Sequence, residues 1–195
     1  MNAVAAVLRR ALVDLAEQGV GVALVGGLAV STRAEPRFTR DTDLAVAVEG
    51  DAHAERVLFG LRGRGYRPMS AFEHLDTGRL STVRLVPPGS GEDGVLVDLL
   101  FASSGIEAEI VRDAEAMDVF TGVGAPVARV GHLVALKLLS ADPVRRPQDL
   151  VDLRGLVPFL DATELARCRE AIAAVHARGY HRGRDLAAAL AALVP

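Results

Sequence analysis

Residues 24–48 read LVGGLAVSTRAEPRFTRDTDLAVAV. An apolar run from Val20 to Val25 ends in two glycines, Gly26 and Gly27, and a second run extends from Asp43 to Val48. Both runs have the length and composition of buried strands. The glycines after the first allow a sharp turn and a close backbone approach to a ligand. Residues two apart on a strand point to the same side, so Asp41 and Asp43 present paired carboxylates on one face. A bare pair repels itself and pushes one pKa upward. A hard divalent cation such as Mg2+ removes that conflict, because it takes oxygen ligands and usually binds substrate phosphates as well. The stretch points to metal-assisted phosphate chemistry.

Outward from this stretch, the pattern predicts a helix over 2–18, a strand over 21–26, a short helix over 27–34 and a strand over 43–48. The first of these is amphipathic, with Arg9, Arg10, Asp14 and Glu17 among its apolar positions. A helix over 51–64 ends at Gly63 and Gly65. Strands over 80–86 and 94–101 flank PPGSGEDG, a dense turn signal that predicts an antiparallel hairpin. A helix near 105–115 and an extended piece near 117–121 follow. From about residue 129 the chain reads as helical, over 130–141, 147–158, 161–178 and 183–194. Strands first and helices last is the order of an α+β protein, with a small mixed sheet flanked by helices in residues 1–128 and a C-terminal helical region in 129–195.

With 195 residues the chain buries a core without disulfides or a structural metal. Its single cysteine, Cys168, forms no internal disulfide, which fits a reducing, cytoplasmic setting. The N-terminal pattern is not that of a signal peptide, and no apolar run approaches the ~20 residues of a membrane span. A net charge of −3 excludes a molecule that attracts nucleic acid by its overall field. Of the 22 basic residues only Lys137 is a lysine, and it stands in an apolar helix with no evident solvated face.

Other acids and bases carry two readings each. Asp98 lies within the apolar strand GVLVDLLF, where an unpaired carboxylate is costly. Either Arg84 on the facing strand pairs with it, or it joins Asp41 and Asp43 around metal. Lys137 either snorkels its ammonium to water or meets phosphate. Asp149 suits the first turn of a helix opening at Pro147, where the helix dipole favours an acid. Arg145 and Arg146 meet phosphate or pair with Asp149 and Asp152, and Arg37 and Arg40 flank the acidic pair. The segment 176–185, HARGYHRGRD, interleaves Arg178, Arg182 and Arg184 with Tyr180 and two histidines. A solvated inter-helix loop is the favoured reading there, with a grip on an RNA backbone as the alternative.

Gly26 and Gly27, then Arg37, Thr39, Asp41 and Asp43 at alternate positions, then Asp98, resemble the DNA polymerase β-type nucleotidyltransferase superfamily. Within it, the chain is most similar to the AbiEii/AbiGii-type and MenT-like nucleotidyltransferase toxins. Residues 132–156, HLVALKLLSADPVRRPQDLVDLRGL, match that group's lysine-bearing helix, arginine-containing loop and helix opening with two aspartates three apart. The resemblance spans about residues 20–157. It departs at Gly26-Gly27, where the superfamily often has glycine-serine, at Gln148, where the group often has lysine, and in its short C-terminal part. It implies a nucleotidyltransferase fold and transfer of an NMP from an NTP to an acceptor hydroxyl, with the 3′ end of tRNA as the toxin-like acceptor. Asp41, Asp43 and Asp98 would hold two Mg2+ ions, and Gly26, Gly27, Lys137, Arg146 and Asp149 would surround the nucleotide. An antitoxin would be the protein partner. The rivals are transfer to a protein or small-molecule hydroxyl, and a regulatory module that binds nucleotide without transferring it.

Overall fold

The computed structural model describes residues 3–194. Residues 1, 2 and 195 lie outside it, among them the first residue of the helix anticipated over 2–18 and the ends of the two anticipated regions. Helix α1 (Ala3–Ala16) leads into strand β1 (Val22–Val25), helix α2 (Gly26–Arg33), strand β2 (Thr42–Val46) and helix α3 (Asp51–Gly63). Strands β3 (Arg67–Glu73), β4 (Leu80–Val86) and β5 (Val97–Leu100) follow, then helix α4 (Glu107–Asp113) and the hairpin of β6 (Glu115–Phe120) and β7 (Val123–Val127). Helices α5 (Val130–Ser140), α6 (Pro147–Leu156), α7 (Ala162–Ala177) and α8 (Leu186–Leu193) complete the described chain, with a 3-10 turn at Val157–Phe159.

The seven strands form one mixed sheet in the order β3-β4-β5-β2-β1-β7-β6. The anticipated hairpin is present as antiparallel β4 and β5, and β5 runs parallel to β2. Three strands were not anticipated or only partly so. Sequence β3, RPMSAFE, is an edge strand whose residues are nearly all exposed, so it carries no apolar alternation. Sequence β7, VGAPV, holds a glycine and a proline, both poor strand formers. It joins the sheet beside β1 through the single register pair Leu24↔Val127. The extended piece expected near 117–121 is the later part of β6, the opposite edge.

The core is continuous. Leu24, Leu44 and Leu99 from the central strands share one buried cluster with Leu133 and Leu138 of α5, Leu156 of α6, Ile172 of α7 and Leu186 of α8. Glu164 fastens α7 to α5: its buried carboxylate accepts the Gly131 N–H at 2.7 Å. A Cβ on Gly131 would come 2.9 Å from the Cys168 nitrogen, so the two helices approach through a glycine. Among the described residues, no helix is long and apolar enough to cross a membrane.

Candidate active site

The centre of the sheet arranges the acidic residues by register. Asp43 on β2 is level with Asp98 on β5, and Asp98 is level with Arg84 on β4. Register partners share a sheet face, so Arg84, Asp98 and Asp43 form a row across three strands. Asp41, two residues before Asp43, stands on the same side. Arg84 grips Asp98 with two hydrogen bonds, Nε to Oδ1 at 2.8 Å and Nη2 to Oδ2 at 2.6 Å. The same Nη2 lies 3.6 Å from Asp41 Oδ2. The ion pair between Arg84 and Asp98 is therefore present, and Asp98 also sits beside the other two acids. Hydrogen bonding to Asp98 holds the Arg84 pKa above the ordinary arginine value.

Among the described residues, Asp43 has no cation within ion-pair distance. Its pKa is raised to about 6, first by desolvation and then by the fields of Asp98 and Asp41, against the weaker pull of Lys137 and Arg146. Two carboxylates and a low-dielectric setting disfavour a third charge. Among the described residues, no group of three or more His, Cys, Asp or Glu side chains is arranged to hold a metal ion. Both oxygens of Asp98 are turned to Arg84.

The glycine pair makes room for these side chains. Gly26 has φ 65°, a conformation that L residues rarely adopt, and a Cβ there would fall inside the Asp43 carboxylate. A Cβ on Gly27 would come 2.5 Å from Arg37 Nη2. Helix α2 starts at this turn, and its N-cap Val25 offers no side-chain bond to the first N–H groups.

Across the cleft, α5 and α6 carry a compensated set. Lys137 is buried, and its Nζ lies 2.7 Å from Asp149 Oδ1 and 2.7 Å from Asp152 Oδ2. Asp149 also accepts the Ser140 hydroxyl at 2.9 Å and lies 3.4 Å from Arg146. Asp152 receives Arg37 Nε and Nη2 at 2.7 and 2.8 Å. Although desolvation opposes it, hydrogen bonding from Arg37 and Lys137 holds the Asp152 carboxyl below its usual range. Arg37 thus ties the loop before Asp41 to α6, a distance of 115 residues along the chain.

Gly26, Gly27, Asp41, Asp43, Asp98, Lys137, Arg146 and Asp149 all line one cleft of about 450 Å3. That volume suits a small molecule. Arg145 lines it as well, while Arg40 packs its guanidinium over the Phe38 ring at 5.6 Å and faces a neighbouring, more apolar cavity. Of the two, the cleft is the candidate site, because the perturbed carboxyl and the acidic row lie in it. Sequence reading passed over Ser140, which fixes Asp149, and weighed Asp152 lightly although it binds both Lys137 and Arg37. The i, i+3 spacing of Asp149 and Asp152 on α6 was the signal that both face one cation. Arg182 also lines the cleft, from the segment read as a solvated loop.

The family model for the AbiEii nucleotidyl transferase toxin of Type IV toxin–antitoxin systems matches residues 7–194. No curated protein matches. The solution structure of the antibiotic-resistance factor ANT(2'')-Ia is similar over 89% of this chain and 91% of its own, with a TM-score of 0.56 and 19% identity. A nucleotidyltransferase-like protein from Paracoccidioides brasiliensis is similar over 98% and 93%, with a TM-score of 0.54 and 17% identity. A crystal structure of ANT(2'')-Ia with adenylyl-2''-tobramycin is similar over 89% and 97%, at 0.54 and 17%. At such identities these likenesses establish the fold alone. The family match spans nearly the whole chain and takes in both walls of the cleft: this protein belongs to the AbiEii nucleotidyl transferase toxin family.

Proposed function

We propose that this chain transfers an NMP from an NTP to the terminal hydroxyl of tRNA, and that it does so in the cytoplasm as the toxin of a pair with an antitoxin. The observation that supports this most is the meeting, in one cleft, of the Gly26 turn, the acidic row and the Lys137 set from distant parts of the chain. Asp41 and Asp43 fit a hard dication. They supply oxygen donors side by side, and Asp43 is destabilised as a lone anion by its acidic neighbours. Asp98 joins them at a second ion only by exchanging the Arg84 guanidinium for metal. When bound, Mg2+ would supply neutralisation of the triphosphate charge.

The residues of the chain do the rest. The N–H groups at the start of α2 face the phosphates where Gly26 and Gly27 let the backbone come close. An ammonium has three N–H donors, and Lys137 spends two on Asp149 and Asp152, which leaves one for a phosphate oxygen. Arg146, at the rim, adds a second cation. Asp98 accepts the proton of the acceptor hydroxyl once the Arg84 guanidinium has swung off its carboxylate. The hydroxyl oxygen bonds to the α-phosphorus, the bond from that phosphorus to the bridging oxygen breaks, and pyrophosphate departs with its electrons. Positioning and fixed charge supply the catalysis.

The test is incubation of the purified chain with each labelled NTP, Mg2+, and either total RNA or total protein. Label in the tRNA band is the expected result. Label in protein, or in a small molecule alone, would keep the transferase and reject the acceptor. Nucleotide binding without any pyrophosphate release would replace the enzyme by a regulatory module.

A further inference from the structure

The segment 176–185 is pinned to the body of the protein along its length. Arg178 donates to the Gly105 carbonyl and, at 2.5 Å, to Glu109. Tyr180 is buried against Gly105, with its ring 4.4 Å from that of His74, so it offers no face to a base. Arg184 donates to the carbonyls of Leu138 and Ala141 at the end of α5, and Asp185 caps α8 by accepting the Ala188 N–H at 2.9 Å. The segment is the largely solvated connection between α7 and α8, as read from the sequence, but these ties fix its course and bring Arg182 to the cleft.

Arg182 stands between the ties with φ 55°, and among the described residues it is the sole non-glycine in the left-handed region. An arginine pays conformational energy to stay there, and such strain gathers at functional positions. Its Nη2 donates to the Ser103 carbonyl at 2.8 Å, which aims the guanidinium along the cleft wall. Six cations line the cleft. Arg37, Arg84, Lys137 and Arg146 each have a carboxylate within 4 Å, while Arg145 and Arg182 have none among the described residues. Both are exposed; Arg145 lies on the 142–146 turn, whereas the Arg182 side chain is fixed by its bond to Ser103, between anchored neighbours. A guanidinium carries five N–H donors, and most of those on Arg182 are unspent.

We propose that Arg182 binds a phosphate group of the substrate, supplied by the NTP or by the nucleic-acid acceptor. The inference rests on the nucleotidyltransferase reading of the cleft and adds to it a residue from the far end of the chain. Arginine suits the task because its planar fork matches two phosphate oxygens at once.

Arg182→Gly separates function from structure, since glycine is at ease at φ 55°. The full chain and this variant are compared by equilibrium binding of a non-hydrolysable ATP analogue with Mg2+, by binding of a short single-stranded RNA across a salt series, and by thermal melting. The variant is expected to melt at the same or a higher temperature and to lose about tenfold in affinity for one ligand. Loss confined to the analogue identifies a nucleotide phosphate. Loss confined to RNA, with a salt slope smaller by about 0.7, identifies an acceptor phosphate. Arg182→Lys should recover part of the loss. Unchanged affinities, or a loss that comes with a lower melting temperature, would overturn the role of Arg182 while the nucleotidyltransferase reading stands. A wild-type chain that binds neither ligand would overturn both.

Discussion

On the strand side of the cleft, Asp41, Asp43 and Asp98 have one cation, Arg84, within ion-pair distance. On the helix side, Asp149 and Asp152 have Lys137, Arg37 and Arg146, together with the Ser140 hydroxyl. The first set leaves Asp43 with a carboxyl raised to about 6, and the second holds Asp152 below the usual range. Both sets are made of aspartates, and the difference lies in how far the protein itself neutralises them. The helix set is finished within the chain, as a scaffold must be. The strand set carries more negative charge than the described residues answer, and this supports the proposal that it takes cations from outside.

The sharpest way to break this comparison is to neutralise one acid on each side. Asp41→Asn is expected to lower nucleotide transfer about 10^3-fold, the scale of losing a group that organises transition-state charge, with melting little changed. Growth inhibition on expression without the antitoxin should vanish with it. Asp149→Asn should instead lower the melting temperature, because it unbalances the buried Lys137. Transfer that survives Asp41→Asn, or a growth defect that does, would make the strand set structural as well.

A smaller effect tests the helix set alone. Lys137→Ala leaves Asp149 and Asp152 without their shared ammonium, and removal of one member of a buried ion pair costs about 3–5 kcal/mol. Denaturant unfolding in chelator, with no nucleotide present, reads this directly. A stability change under about 1 kcal/mol would show that Lys137 is no part of a scaffold.

The smallest expected effect is a matter of pH. Asp43 has a folded-state pKa above its ordinary 3.8, so its contribution to stability is fully present below 3.8 and is lost as pH rises through about 6. Asp152 runs the opposite way: its contribution is present above the ordinary value and is lost as pH falls through its lowered pKa. Asp43→Asn should therefore stabilise the metal-free chain at pH 7 by about 2 kcal/mol and do little at pH 4. Urea midpoints of both chains in chelator at the two pH values give the answer. Equal differences at both would mean that the acidic row is already neutralised from within.

Much of this site was legible along the chain. The glycine pair, the alternation of Asp41 and Asp43, and the strand-borne Asp98 opposite Arg84 all follow from periodicities that hold whatever the rest of the molecule does. The i, i+3 spacing of Asp149 and Asp152 belongs with them. Strands β3 and β7 were not legible, because the exposed RPMSAFE edge has no apolar face and VGAPV is a strand by virtue of its neighbours. Nor was Arg182, whose composition is that of any charged loop until Tyr180 and Arg184 are seen anchored on either side.

The sequence by itself determined which turn needs glycine, that Asp41 and Asp43 share a side, and that α6 carries two acids three apart, since each depends on contacts within a few residues; the level placing of Asp43 and Asp98 on parallel strands came from the tertiary structure. Only the tertiary structure decided which charges are answered and which are not. That outcome depends on meetings between separate elements: Arg37 with Asp152 across 115 residues, Lys137 of α5 with both aspartates of α6, and Asp43 left with acidic neighbours. Ion pairing acts over a few ångströms, and no spacing along the chain specifies such distances between segments a hundred residues apart.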